Sequence, residues 1–309
     1  MNSSSNGTSE SPATSQAIVP AAVAVTRPMY WSVCRELWEN RWIYMAPLAA
    51  AVVFLFGFLI NMISVRRHMY AMWPFDPAQQ HRLLETRYEL AGALIMGVAF
   101  LVGIFYALDA LYGERRDRSI LFWKSLPVSD VTAVLSKLII PVVILPLLSF
   151  VITIATQWFM LVLSGVVLLG SGVTFATLWT QSTFMHFSWM LLYHIVTVHG
   201  LWYAPIYGWL LLVSAWAPRA PFLWAFLPPF VIWGMEKLAF NTSHFLAMLQ
   251  NRMVGPEPST AQASKSMMDA MAALGPLEFF SEPGLWIGLA IATVFLAGAV
   301  RLRRYRGPI

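Results

Sequence analysis

One cysteine, Cys34, stands in 309 residues. It excludes an internal disulfide framework and any cysteine-based zinc or iron–sulfur site within a single chain. Charge is equally scarce: 11% of residues are Asp, Glu, Lys or Arg, against roughly 25% in soluble domains. With 58% hydrophobic residues and a mean hydropathy of +0.64, the sequence fits neither a soluble globule nor a disordered chain. Signature motifs are missing too. There is no Gly-x-x-x-x-Gly-Lys-Ser/Thr phosphate loop, no His-Glu-x-x-His and no Gly-x-Ser-x-Gly turn, so the usual ATPase, metalloprotease and hydrolase sites are absent. Acidic residues barely enter the apolar blocks. Asp109 and Glu236 lie near block ends, whereas a proton relay places such groups deep in a bundle.

What is present is a series of apolar blocks of about 20 residues, the length of a membrane-crossing helix. They predict an all-α polytopic membrane protein. Six spans are expected: Ala46–Val65, Leu90–Leu111, one beginning near Leu138, Phe187–Val213, Phe222–Phe240 and Gly284–Val300. Pro141 and Pro146 predict a kink early in the third, and Gly200 with Pro205 interrupts the fourth. The net charge of +5 reads as topology, with no implied nucleic-acid partner. Six spans with both termini cytosolic place Arg115, Arg116, Arg118, Lys137, Arg219 and the Arg301–Arg306 cluster inside. Fewer cations, among them Arg66, Arg67, Arg82 and Arg87, then face outside. A seventh crossing within 138–180 would break that bias, so 165–183 is expected as an outer loop or shallow re-entrant segment. The segment 241–283 is expected outside.

Residues 1–26, rich in Ser, Thr and Asn and then in Ala, Val and Pro, read as a disordered leader. Residues 27–45 read as an amphipathic helix on the membrane surface. At 100° per residue Trp31, Cys34, Trp38, Trp42 and Met45 form one stripe, with Glu36, Glu39 and Asn40 elsewhere. Two small-residue faces, Ala99/Gly103/Ala107 and Gly284/Gly288/Ala292, suit close helix contact. They serve either packing within the chain or a dimer seam. His194 and His199 lie deepest among the ionisable groups and fall about 140° apart on an α-helix. They are candidates for lining a transport path, or else hydrogen-bond to a neighbouring helix.

The densest charge lies in 112–137. Glu114, Arg115, Arg116, Asp117 and Arg118 precede Ile120, Leu121, Phe122, Trp123 and Lys124; Pro127 stops that helix, Ser129 or Asp130 caps the next, and Lys137 heads the third span. Glu114 and Arg118, four apart, can pair on one helical face. Apolar anchors among charges suit docking into a groove on a cytosolic protein; a helix resting on lipid headgroups has the same composition.

The stretch from Glu114 to Leu121, the Leu126-Pro127-Val128-Ser129 turn and Lys137 resemble the signature of type-2 ABC exporter permeases, and the six-span plan with its amphipathic start is similar to theirs. The resemblance implies a permease at the cell (inner) membrane that is not itself an enzyme and carries no cofactor. ATP and Mg would sit on a separate cytosolic ATP-binding subunit, and a second permease, another copy or a relative, would complete the unit. It further implies that Glu114, Arg115, Arg116, Asp117, Arg118, Ile120, Phe122, Trp123, Pro127 and Lys137 belong to the ATPase-coupling segment. The helix bearing Trp31, Trp38 and Trp42 would be a connecting helix. The apolar spans suit a lipophilic or amphipathic cargo such as a drug, peptide or lipid. Two other classes compete: a membrane-embedded enzyme acting on a lipid-linked substrate with His194 or His199 as base, and a non-transport scaffold.

Overall fold

A computed structural model describes residues 28–69, 77–125, 128–167, 184–254 and 276–307. The leader expected at 1–26 and Pro127 lie outside the described residues, as does most of 165–183. Every regular element among the described residues is helical. In chain order these are α1 (Pro28–Glu39), α2 (Trp42–Met69), α3 (Pro77–Arg116), α4 (Ile120–Ser125), α5 (Asp130–Ile139) and α6 (Leu145–Val167). They continue with α7 (Phe184–His194), α8 (Ala204–Trp216), α9 (Pro221–Phe240), α10 (His244–Val254), α11 (Pro276–Ser281) and α12 (Pro283–Tyr305).

Two π-helical segments join neighbours in this series. Ile140–Ile144 links α5 to α6, and Ile195–Trp202 links α7 to the α8 region. The first contains Pro141, which has no amide to continue the α-helical ladder, so a wider turn absorbs the defect. Ser129 is the cap that starts α5: its Oγ accepts from the Thr132 amide at 3.1 Å. Asp130 is then free for another role.

Four helical stretches are long and apolar enough to cross a membrane: Trp42–Ile63, Thr86–Arg116, Asp130–Val166 and Pro283–Tyr305. A fifth is the pair Leu191–Trp202 and Ala204–Trp216, bent by 45° at Tyr203. The break falls between the expected interruptions, Gly200 and Pro205. Helix α9 is 20 residues long, but Pro228, Pro229, Glu236 and Lys237 dilute its hydropathy.

The helices form one bundle. α12 packs along α8, α8 along α3, and α2, α3 and α6 pack together. At one end, here called the charged end, α2 starts, α3 finishes, α5 starts, and α8 and α12 finish. Arg115 ties two of these ends together, donating to the carbonyls of Ala215 and Ala217 at 2.7 and 3.2 Å. Ser214 Oγ accepts from the amides of Leu111 and Tyr112. Helix α9 leaves from this end, with Phe222 stacked on Phe105 and Trp209 donating to the Ala225 carbonyl. It leads through α10 to the opposite end. There the Tyr203 hydroxyl donates to the Met253 carbonyl at 2.7 Å.

The small-residue faces are used within the chain. Ala99 and Ala107 are buried, and between them Gly103 receives Tyr207: a Cβ there would stand 3.0 Å from the Tyr207 hydroxyl. On α12, Gly284 faces Trp202, and Ala292 is buried against Gly208. Gly288 makes room for the Arg252 guanidinium, which lies 4.3 Å from the Trp202 ring centre and donates to the Gly284 carbonyl at 3.0 Å. Burial lowers the Arg252 pKa from its ordinary value, and the ring face and carbonyl stabilise the cation in place. A Cβ on Gly288 would collide with that guanidinium. Gly288→Ala is therefore expected to displace the end of Arg252 and cost about 0.5–1 kcal/mol, the loss of its ring contact, seen as a lower melting temperature in detergent. Gly97→Ala, where a Cβ meets nothing, should leave melting unchanged or raise it.

Candidate functional site

The charged end holds a buried ionic cluster built from α1, α3, α5 and α12. Glu36, on the bundle side of α1, is 2% exposed. Its Oε1 accepts from Lys137 Nζ and Arg35 Nη2, both at 2.8 Å, and its Oε2 from the Tyr106 hydroxyl at 2.8 Å. Glu114, in the last turn of α3, is also buried. Its Oε1 lies 3.2 Å from both Lys137 and Arg35, and its Oε2 lies 3.4 Å from Arg303 on α12. Arg303 turns its other terminal nitrogen to Asp130, the first residue of α5, and Arg304 reaches the same carboxylate at 3.8 Å.

Glu36, Glu114 and Asp130 are thus balanced by Arg35, Lys137 and Arg303. A single buried charge would be prohibitive, whereas a paired and hydrogen-bonded set is tolerated.

The 112–137 segment divides into an inward and an outward half. Glu114, Arg115, Ile120 and Lys137 are buried. The expected pairing of Glu114 with Arg118 is replaced by the cluster, because α3 ends at Arg116 and Arg118 sits in a turn with φ of 58°. Trp123 lies against the cluster, with its ring centre 3.7 Å from the Arg35 guanidinium carbon. With Ile120 inserted at 1% exposure, α4 is pinned at two points. Lys124 adds a third, its Nζ 3.2 Å from the Arg304 carbonyl.

Facing outward are Arg116, Asp117, Arg118, Leu121 and Phe122. Arg116 Nε donates to Asp117 at 2.9 Å, which holds the exposed Asp117 carboxyl below its usual pKa. Leu121 and Phe122 are 59% and 60% exposed. Trp31 and Trp38 on α1 and Trp42 at the start of α2 likewise turn away from the bundle, all more than half exposed, while Glu36 points in. The single helix expected over 27–45 is divided, since α1 ends at Glu39 and α2 starts at Trp42, and Glu36 with Val33 and Leu37 makes contacts to the bundle.

His194 and His199 come together. Their ring centroids are 5.4 Å apart, and Tyr203 follows at 5.0 Å from His199. The expected 140° separation assumed α-helical rotation, but the intervening π turns bring i and i+5 into register. His199 is buried and its Nδ1 has no hydrogen-bond partner. No group of three metal-ligating side chains occurs among the described residues.

Glu36, Arg35, Tyr106, Asp130 and Arg303 were not singled out as site residues by the sequence reading. A signal for Arg303 was present: it extends the buried face Gly288–Ala292–Ala299 by one further turn, and so belongs to the interior and not with its exposed neighbours Arg301 and Arg304.

Removing one buried partner leaves its counter-charges uncompensated, which costs about 3–5 kcal/mol. Glu36→Gln is expected to lower unfolding stability on that scale. Glu39→Gln, three residues away and half exposed beside Arg35, should change it by about 1 kcal/mol or less; chemical denaturation in detergent compares the two. No family model, curated protein or solved structure matches the chain.

Proposed function

We propose that this chain is the membrane-spanning permease subunit of an ATP-driven exporter of the type-2 ABC class, powered by a separate cytosolic ATPase that docks on α4. One observation carries the reading. Leu121 and Phe122 stand exposed on a six-residue helix whose other side is fixed to the buried cluster joining α1, α3, α5 and α12. Exposed apolar anchors flanked by Arg116, Asp117 and Arg118 suit a protein groove, with the anchors supplying affinity and the charges register. The rigid mount gives that groove something to push against.

In this mechanism nucleotide-driven movement of the ATPase displaces α4. Ile120 and Trp123 pass the displacement to Arg35 and Glu114. Lys137, Glu36 and Arg303 then distribute it to α1, α5 and α12, so several helices move as a unit. The bend at Tyr203 and the π turn at Ile140–Ile144 are the compliant points, since their backbone ladders are already interrupted. ATP and Mg belong to the partner, two permeases and two ATPases form the working unit, and the cargo is lipophilic or amphipathic. The proposal includes six crossings with both termini cytosolic; in support, α9 departs from the charged end beside α8 and connects through α10 to the far end.

The test is whether a cytosolic ATPase co-purifies with the chain, comparing wild type with Leu121→Ser/Phe122→Ser. Loss of two interface anchors is expected to weaken ATPase association about tenfold or more, with the melting temperature of the isolated permease unchanged. Undiminished association and stimulated turnover in the double variant would remove the docking assignment.

A further inference from the structure

Beside the ionic cluster, α5 and α12 diverge to leave a groove of about 680 Å³. Val131 and Leu135 from α5 and Leu296 and Val300 from α12 form its apolar walls, and Arg301 and Arg304 stand at its mouth. The two ends differ in chemistry because the helices run in opposite directions. α12 enters the groove with aliphatic residues and leaves it with arginines, while α5 starts at the arginine level.

The charge at the mouth is uneven. Asp130 is the carboxylate nearest to it, and it is already engaged by Arg303, with Arg304 sharing it at 3.8 Å. Arg301 has no carboxylate partner among the described residues. The mouth therefore carries cationic charge that no carboxylate among the described residues neutralises, above a slot that only hydrocarbon fills well.

The geometry points to a binding site for an anionic phospholipid, its acyl chains in the groove and its headgroup phosphate between Arg301 and Arg304. Charge complementarity selects the headgroup, and the position of the walls on α5 and α12, both within candidate membrane spans, selects the chains. Basic pockets between helices at a membrane surface recognise acidic lipids in this way. A zwitterionic lipid gains less there, since its own cation is repelled by the same two arginines. The site adjoins the coupling segment, because Lys124 on α4 donates to the Arg304 carbonyl. A headgroup that draws Arg304 away from Asp130 leaves that acid to Arg303 alone. The inference stands independently of the ATPase reading.

The experiment is native mass spectrometry of the delipidated full chain in detergent with phosphatidylglycerol or phosphatidylcholine. Wild type is expected to retain phosphatidylglycerol preferentially, and Arg301→Gln/Arg304→Gln to retain it about tenfold less. Ala297→Trp, which fills the groove without touching its charge, should also lower retention and serves alone if the double variant does not fold. Inorganic phosphate at millimolar concentration should not displace the lipid. Equal retention of the two lipids by wild type, full retention in Ala297→Trp, or displacement by phosphate would each overturn the site.

Discussion

The fold depends on a shortage of places to put negative charge. Glu36, Glu114 and Asp130 enter a nearly apolar bundle, and each must be met by a cation from another helix. Lys137 and Arg35 serve both glutamates, and Arg303 serves Glu114 and Asp130. Because each of these three cations bridges two acids, no helix end can leave without exposing a charge on a second. The cluster thus joins α1, α3, α5 and α12 more tightly than their apolar contacts alone, since lipid solvates aliphatic surface as well as protein does.

The opposite end is held differently. Arg252 rests in the space left by Gly288 and over Trp202, and Tyr203 bonds the Met253 carbonyl. These contacts come from α10, outside the candidate spans, so they act as a clasp across the bend between α7 and α8. One end is a weld of ion pairs, and the other is a hinge covered by a clasp. That asymmetry suits the proposed exporter, in which force would enter through α4 and be expressed as a change of angle at Tyr203.

Much of the helical plan was legible because hydrophobic block length and proline position are local properties. The bend in the fourth span falls between Gly200 and Pro205, and Pro141 sits in a π-helical segment inside one continuous span. Trp31, Trp38 and Trp42 are exposed, although the helix expected to carry all three is broken between Glu39 and Trp42. The ionic cluster was not legible, since it joins residues about 70 to 190 positions apart and pairwise partners leave no periodic trace. The 112–137 segment therefore read as one docking surface, whereas Glu114, Arg115 and Lys137 serve the interior. The proximity of His194 and His199 is not legible for another reason: uniform α-helical rotation separates them, and the π turn after His194 changes it. The small-residue faces allowed two uses, and only the positions of Tyr207 and Arg252 decide between them.

The central claim is that the charged end, with α4 at its tip, faces the cytosol and receives the driving partner. Its most direct test is sidedness of Arg118→Cys in a Cys34→Ser background, probed with a membrane-impermeant maleimide. Labelling in inside-out vesicles and none in intact cells is the expected result. Labelling of intact cells with inside-out vesicles unreactive would place the charged end outside and contradict the claim.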